Sequence, residues 1–164
     1  MFRIRKVFKF EAAHQLAPGC HTEACSATLH GHSYKVEVFL TANELDTNSM
    51  VIDFGALAVL KSIVEEWDHA VILTTVVDRP YHTVMQEWNQ KVVVVDYNPT
   101  AENMALDLFD KFRSVLQAGF PKAAVLRKLR IEGVRVHETD TGWAEYTEFD
   151  ESLVLARQEQ EQDG

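Results

Sequence analysis

The sequence is poor in the residues that build stapled or irregular scaffolds: two cysteines, four prolines and seven glycines in 164 residues. Two thiols do not make the disulfide framework of a small secreted domain. A reducing, cytoplasmic setting is expected, with Cys20 and Cys25 as free thiols. Long apolar runs are missing as well. Stretches such as Val92–Val95 fall far short of the roughly 20 residues a spanning helix needs, and Met1–Lys6 carries no apolar export segment. No membrane partner is expected. There is also no lysine/arginine cluster. The formal net charge is -9, and the stretch from Glu145 to Gly164 holds seven acids against the single base Arg157. Such a chain is a poor match for a phosphate backbone, so no nucleic acid partner is expected.

What is present is an ordinary core-forming composition, 46% hydrophobic and 25% charged, enough for one domain. That domain is placed at 1–150, with an acidic polar C-terminal tail at 151–164. Residues 1–14 alternate, with Phe8, Phe10, Ala12 and His14 on one parity, as in a half-buried strand. A loop holding both cysteines leads to a second alternating strand from His30. Asp53 is expected to cap a helix with Leu57, Leu60, Val64 and Trp67 on its buried side. Residues 74–96 are hard to read beyond a short strand at Val92–Val95. Thr100 is expected to cap a second helix, stopped by Gly119 and Pro121. Strands at about 124–138 and 143–150 follow, with a parity switch at Gly133 that suggests a β-bulge. The order predicts an α+β domain with an antiparallel sheet covered by helices on one face.

Several residues can carry chemistry. His30 and His32 flank a glycine, and in a strand they project from one face about 7 Å apart at Cα, which lets both imidazoles reach one ion. His14 has matching parity on the neighbouring strand. Three histidines with no fourth protein ligand describe an open catalytic metal site, although a lone His-x-His is also compatible with two satisfied strand histidines. Cys25 sits five residues before His30, as a base, a nucleophile or a small buried side chain. Asp68 and His69 can form a proton relay, or be incidental surface. Glu138 ends a strand beside a turn, where it serves the turn or hydrogen-bonds an amidine-like ligand edge. Glu102 suits the first turn of a helix through the helix dipole alone.

Six segments in order resemble the 6-pyruvoyltetrahydropterin synthase / 6-carboxytetrahydropterin synthase family. They are Phe10 to His14; Cys25 with Leu29 to Tyr34; Val51 to Phe54; Trp67 to His69; Asn98 to Asn103; and Val136 to Thr139. The resemblance implies a tunnelling fold, ββααββ, with a four-stranded antiparallel sheet and two helices on one face. It implies a homo-oligomer, usually a hexamer, and a zinc ion on His14, His30 and His32. Cys25 would be the proton-abstracting base, Asp68 and His69 a relay, and Glu138 the pterin anchor, with Thr100 and Glu102 in the pterin pocket. The implied substrate is 7,8-dihydroneopterin triphosphate. The wording around His30 is closest to the 6-carboxytetrahydropterin branch, which feeds queuosine and other deazapurines and releases triphosphate and acetaldehyde. A pyruvoyl-forming or dihydroneopterin-cleaving sibling is the alternative, and a non-catalytic zinc- or pterin-binding paralogue is the alternative of another class. Three features depart from the family pattern: a gap between Cys25 and His30 one residue longer than in the carboxy branch, Gln15 in place of a common arginine, and a longer 74–96 segment. Glu23 is the substitute base if Cys25 is not the one.

Overall fold

The alternation at the start of the chain folds as β1 (Phe2–His14), burying Phe8, Phe10, Ala12 and His14 on one face. The structure is a computed structural model that describes residues 1–20, 22–88 and 91–148. β2 (His30–Ala42) runs antiparallel to β1. Its register sets Phe8 opposite Val36, Phe10 opposite Tyr34, Ala12 opposite His32 and His14 opposite His30. The even-numbered residues of both strands therefore share the covered face. Two helices cover it: α2 (Ala58–Trp67) and α4 (Ala101–Gly119). Phe10 meets Trp67 edge-on at 5.9 Å, and Phe8 meets Phe112 at 6.3 Å. Phe112, Leu108, Phe109 and Leu116 of α4 are buried there with Leu60 and Val64 of α2. Thr100 caps α4 by accepting from the Asn103 N–H, as its residue type favours.

The sheet has six strands rather than the expected four, in the order β4-β3-β1-β2-β5-β6. β1, β2, β5 (Arg130–His137) and β6 (Trp143–Thr147) form the expected antiparallel set. The additions are β3 (Ala70–Thr74), parallel to β1 over Ala12–His14, and β4 (Val92–Val95), parallel to β3. β3 is apolar from Ala70 to Leu73 and ends on buried Thr74, with buried residues on both faces, so it lacks the alternation that marks a half-buried strand.

Three short helices also exceed the expected two: α1 (Glu23–Ala27), α3 (Pro80–Glu87) and α5 (Pro121–Leu126), none of which contains a fully buried residue. The strand expected from about 124 begins only at Arg130, because Pro121 opens α5 and Lys128 takes a left-handed backbone (φ 53°) before the chain extends. Asp53 does not cap α2. Its carboxylate closes a local turn onto the Gly55 N–H at 2.7 Å, and Leu57 stands at the cap without a side-chain bond.

The bulge is where the sequence places it. Phe39 pairs with Gly133 and Leu40 with Ile131, leaving Glu132 as the extra residue. A Cβ on Gly133 would lie 2.8 Å from Thr147 Cγ2 and 3.0 Å from the Tyr146 carbonyl, so only glycine fits. No described helix is long and apolar enough to cross a membrane. The tail assigned to 151–164 lies outside the described residues.

Candidate metal centre

His14, His30 and His32 converge as their shared parity requires. Their candidate ligand nitrogens lie within 4.8 Å of one another, and the ring centroids are 4.7 to 5.1 Å apart. His14 is fully buried. Its Nδ1 is 2.7 Å from the Pro99 carbonyl, which fixes it as the protonated nitrogen and leaves the Nε2 lone pair for the cluster. His30 repeats the arrangement, with Nδ1 3.0 Å from the Thr28 carbonyl. The Nε2 atoms of His14 and His32 are buried without a hydrogen-bond partner. Burial holds His32 below the usual imidazole range, against the pull of Glu138, so it favours the neutral, metal-binding form. Buried, unpartnered Nε2 atoms on His14 and His32, with the His14 and His30 rings oriented by main-chain carbonyls, form a donor set that fits a borderline-soft cation.

Glu138 joins this cluster directly. The β2–β5 register puts Lys35 opposite His137, which brings Glu138 out level with Tyr34. Its Oε1 is 3.2 Å from His14 Nε2 and 3.7 Å from His32 Nε2. The adjacent His14 ring, against the opposing effect of burial, holds its carboxyl below the ordinary range. The turn behind it is closed by the Glu138 N–H onto the Gly142 carbonyl at 3.2 Å and by the Gly142 N–H onto Thr139 Oγ1 at 2.9 Å.

Asp68 and His69 form the expected pair, with Asp68 Oδ2 2.9 Å from His69 Nδ1. The pair is built by main-chain bonds. The Glu11 N–H donates to Asp68 Oδ1 at 2.9 Å, and the His69 N–H donates to the Glu11 carbonyl at 2.6 Å while His69 adopts φ +58°. The Glu11 N–H, with His69 second, draws the Asp68 carboxyl below its usual range. The His69 side chain is 78% exposed. It borders a groove of about 440 Å³ with Glu11, Ala13, Gly31 and Ser33, of the opposite parity to the three histidines, and with Ala12 and His32, which share theirs. The pair therefore shares this groove with one histidine of the cluster, His32.

Cys25 lies half-buried on α1, whose following residue Thr28 holds His30. Glu23 opens the same helix, exposed. Cys20 is half-buried, its thiol donating to the Thr22 carbonyl at 3.1 Å. Thr100 follows Pro99, the residue that orients His14, and exposed Glu102 lies two residues further on, in the first turn of α4.

Sequence reasoning missed three groups. The Pro99 carbonyl carries no signal in residue type. Tyr34 is fully buried with no hydrogen-bond partner for its hydroxyl, its ring 5.5 Å from His32 and 5.9 Å from His14; its place at i+4 from His30 was readable. Arg79, which bonds the Leu16 and Ser26 carbonyls, is the third.

A family model described as 6-pyruvoyl tetrahydropterin synthase matches residues 3–148. The chain belongs to that family. Among curated relatives, the 6-carboxy-5,6,7,8-tetrahydropterin synthase of Haemophilus influenzae is 34% identical over 155 residues, covering 90% of this chain and 100% of the relative. The Helicobacter pylori protein of the same name is 31% identical over 146 residues, 87% of this chain and 70% of its own length. Among solved structures, an uncharacterized protein from Wolinella succinogenes superposes with a TM-score of 0.72 at 23% identity, covering 90% of this chain and 98% of the other. Caenorhabditis elegans 6-pyruvoyl tetrahydropterin synthase gives 0.62 at 22% identity, covering 90% and 96%. These structural likenesses bear on the fold.

Proposed function

We propose that this family member is a zinc-dependent 6-carboxy-5,6,7,8-tetrahydropterin synthase. It acts on 7,8-dihydroneopterin triphosphate, releases triphosphate and acetaldehyde, and serves queuosine and deazapurine synthesis in the cytoplasm. The observation that carries the reading is the three-histidine cluster with Glu138 beside it, in a chain whose curated relatives bear that name.

His14, His30 and His32 hold the zinc. When bound, zinc supplies Lewis-acid polarisation of the substrate's side-chain oxygens. The Pro99 and Thr28 carbonyls keep the His14 and His30 rings in the ligating tautomer. Glu138, ionised at neutral pH, accepts from the amidine-like edge of the pterin and orients the ring. Thr100 and Glu102 border the pterin pocket. The Cys25 thiolate takes the carbon-bound proton of the side chain. Asp68 fixes the tautomer of His69, which returns a proton to the ring.

A site completed by a second chain is part of this reading. The sheet supports such an assembly. β3 pairs with β1 only at Ala12–His14, so among the described residues the outer edge of β1 from Phe2 to Glu11 has no strand partner, and β6 ends the sheet on the other side. Unpaired edges favour closed association, and a homohexamer is proposed.

Product analysis tests the reading. Zinc-loaded protein given 7,8-dihydroneopterin triphosphate should release acetaldehyde and triphosphate together. Triphosphate without acetaldehyde would move the assignment to the pyruvoyl branch, and no turnover would favour a pterin-binding paralogue.

A further inference from the structure

α1 is five residues long and buries none of them completely. A single turn is marginal in water whatever its residues, since so few hydrogen bonds do not offset nucleation. Core packing therefore does not set the place of Cys25. Its carbonyl end is held instead by hydrogen bonds. The Leu16 N–H donates to the Cys25 carbonyl at 3.0 Å. The Ser26 carbonyl accepts twice, from Gln15 Nε2 at 2.5 Å and from Arg79 Nη2 at 3.3 Å. The same Arg79 nitrogen donates to the Leu16 carbonyl at 3.0 Å, joining the exit of β1 to the helix. The Tyr81 hydroxyl donates to Gln15 Oε1 at 2.5 Å, which turns the amide NH₂ toward Ser26. Burial pushes the Tyr81 phenol up, so it stays a donor.

α1 has no basic residue in its last turn. Arg79 supplies the missing cation at that carbonyl-rich end, from 53 positions along the chain. Both Arg79 and Tyr81 lie in the 74–96 segment. We infer that Arg79, with Tyr81 acting through Gln15, is the positioning group that sets Cys25 against the histidine cluster. The inference rests on Cys25 acting as the base in the proposed reaction.

The test compares zinc-loaded wild type with Arg79→Ala, Arg79→Lys and Tyr81→Phe. Alkylation by iodoacetamide is followed separately at each cysteine by peptide mass spectrometry, beside steady-state kinetics and zinc content. Cys20 is the internal reference, since its thiol bonds the Thr22 carbonyl outside the clasp. In Arg79→Ala the ratio of Cys25 to Cys20 rates should change several-fold. Its kcat should fall about 10–100-fold with KM nearly constant, the cost expected for a misplaced reacting group. Zinc content should not change. Arg79→Lys keeps a charged donor and should recover part of both effects, and Tyr81→Phe should show a smaller change of the same kind. An unchanged alkylation ratio and unchanged kcat in Arg79→Ala and Tyr81→Phe would overturn the inference. Should Arg79→Ala fail to fold, Tyr81→Phe alone carries the same two outcomes. Cys25→Ala separates the two readings: normal turnover there sinks the base assignment, while a changed ratio in Arg79→Ala still upholds the clasp.

Discussion

The histidine cluster and the Cys25 helix lie next to each other in the fold but are held in different ways. His14 and His30 face each other across the β1–β2 ladder, on the face that carries the main core. Their ring orientations are fixed by the Pro99 and Thr28 carbonyls. Cys25 sits on a one-turn helix without a fully buried residue, tied down by Leu16, Gln15 and Arg79. Elements with few apolar contacts and exposed hydrogen bonds open most easily. Under the proposed function the comparison teaches a division of labour: the candidate ligands stand on core-backed sheet, and the thiol stands on a helix held by polar bonds.

The largest effect should come from breaking the rigid half. His14→Ala removes a fully buried ligand and its bond to Pro99. Metal analysis should show zinc falling from about one per chain to a small fraction of that, with turnover lost. Retained zinc would show that the ligand set is wrong. Cys25→Ala probes the other half. Turnover should drop about 10²–10⁴-fold, the range for loss of a general base, while zinc content stays near wild type. Cys20→Ala should be silent in both assays. Near-normal turnover in Cys25→Ala would move the base to Glu23, in the same helix.

The core beneath the cluster gives a third contrast. Phe112→Ala empties a fully buried site against Phe8 and should cost about 3–5 kcal/mol in denaturant unfolding. Tyr81→Phe, at the clasp, should leave global stability nearly unchanged. Equal losses in the two variants would erase the proposed division.

The smallest effect concerns pH. The folded-state Asp68 carboxyl is drawn below its ordinary range, first by the Glu11 N–H and then by His69. Its stabilising contribution is complete above the unfolded carboxylate range of about 3.9. It is lost as pH falls through the lower folded value. Thermal unfolding of Asp68→Asn between about pH 3 and 6 should show a slightly shallower fall on the acid side than wild type. A steeper fall would contradict the pairing.

Much of the rigid half was legible in the sequence because a strand has period two. The parity of Phe8, Phe10, Ala12 and His14, matched by His30, His32 and Tyr34, already puts three imidazoles on one buried face. The bulge at Gly133 was legible from a parity switch. β3 was not, since Ala70–Thr74 is buried on both sides and shows no alternation. Asp53 was misread as a cap because Asp suits a tight turn as well as a helix start. The clasp was the least legible part. It joins Gln15, Ser26, Arg79 and Tyr81 across as many as 66 positions, and all but one of its acceptors are main-chain carbonyls that no residue type announces.

The central claim is that nitrogen holds the metal and sulfur is kept for the substrate. X-ray absorption at the zinc edge of the loaded protein measures this directly. The account predicts three histidine nitrogens at about 2.0–2.1 Å, completed by solvent, and no sulfur scatterer. A sulfur shell at about 2.3 Å, lost in Cys25→Ala, would contradict it, because the thiol would then be a ligand rather than the base.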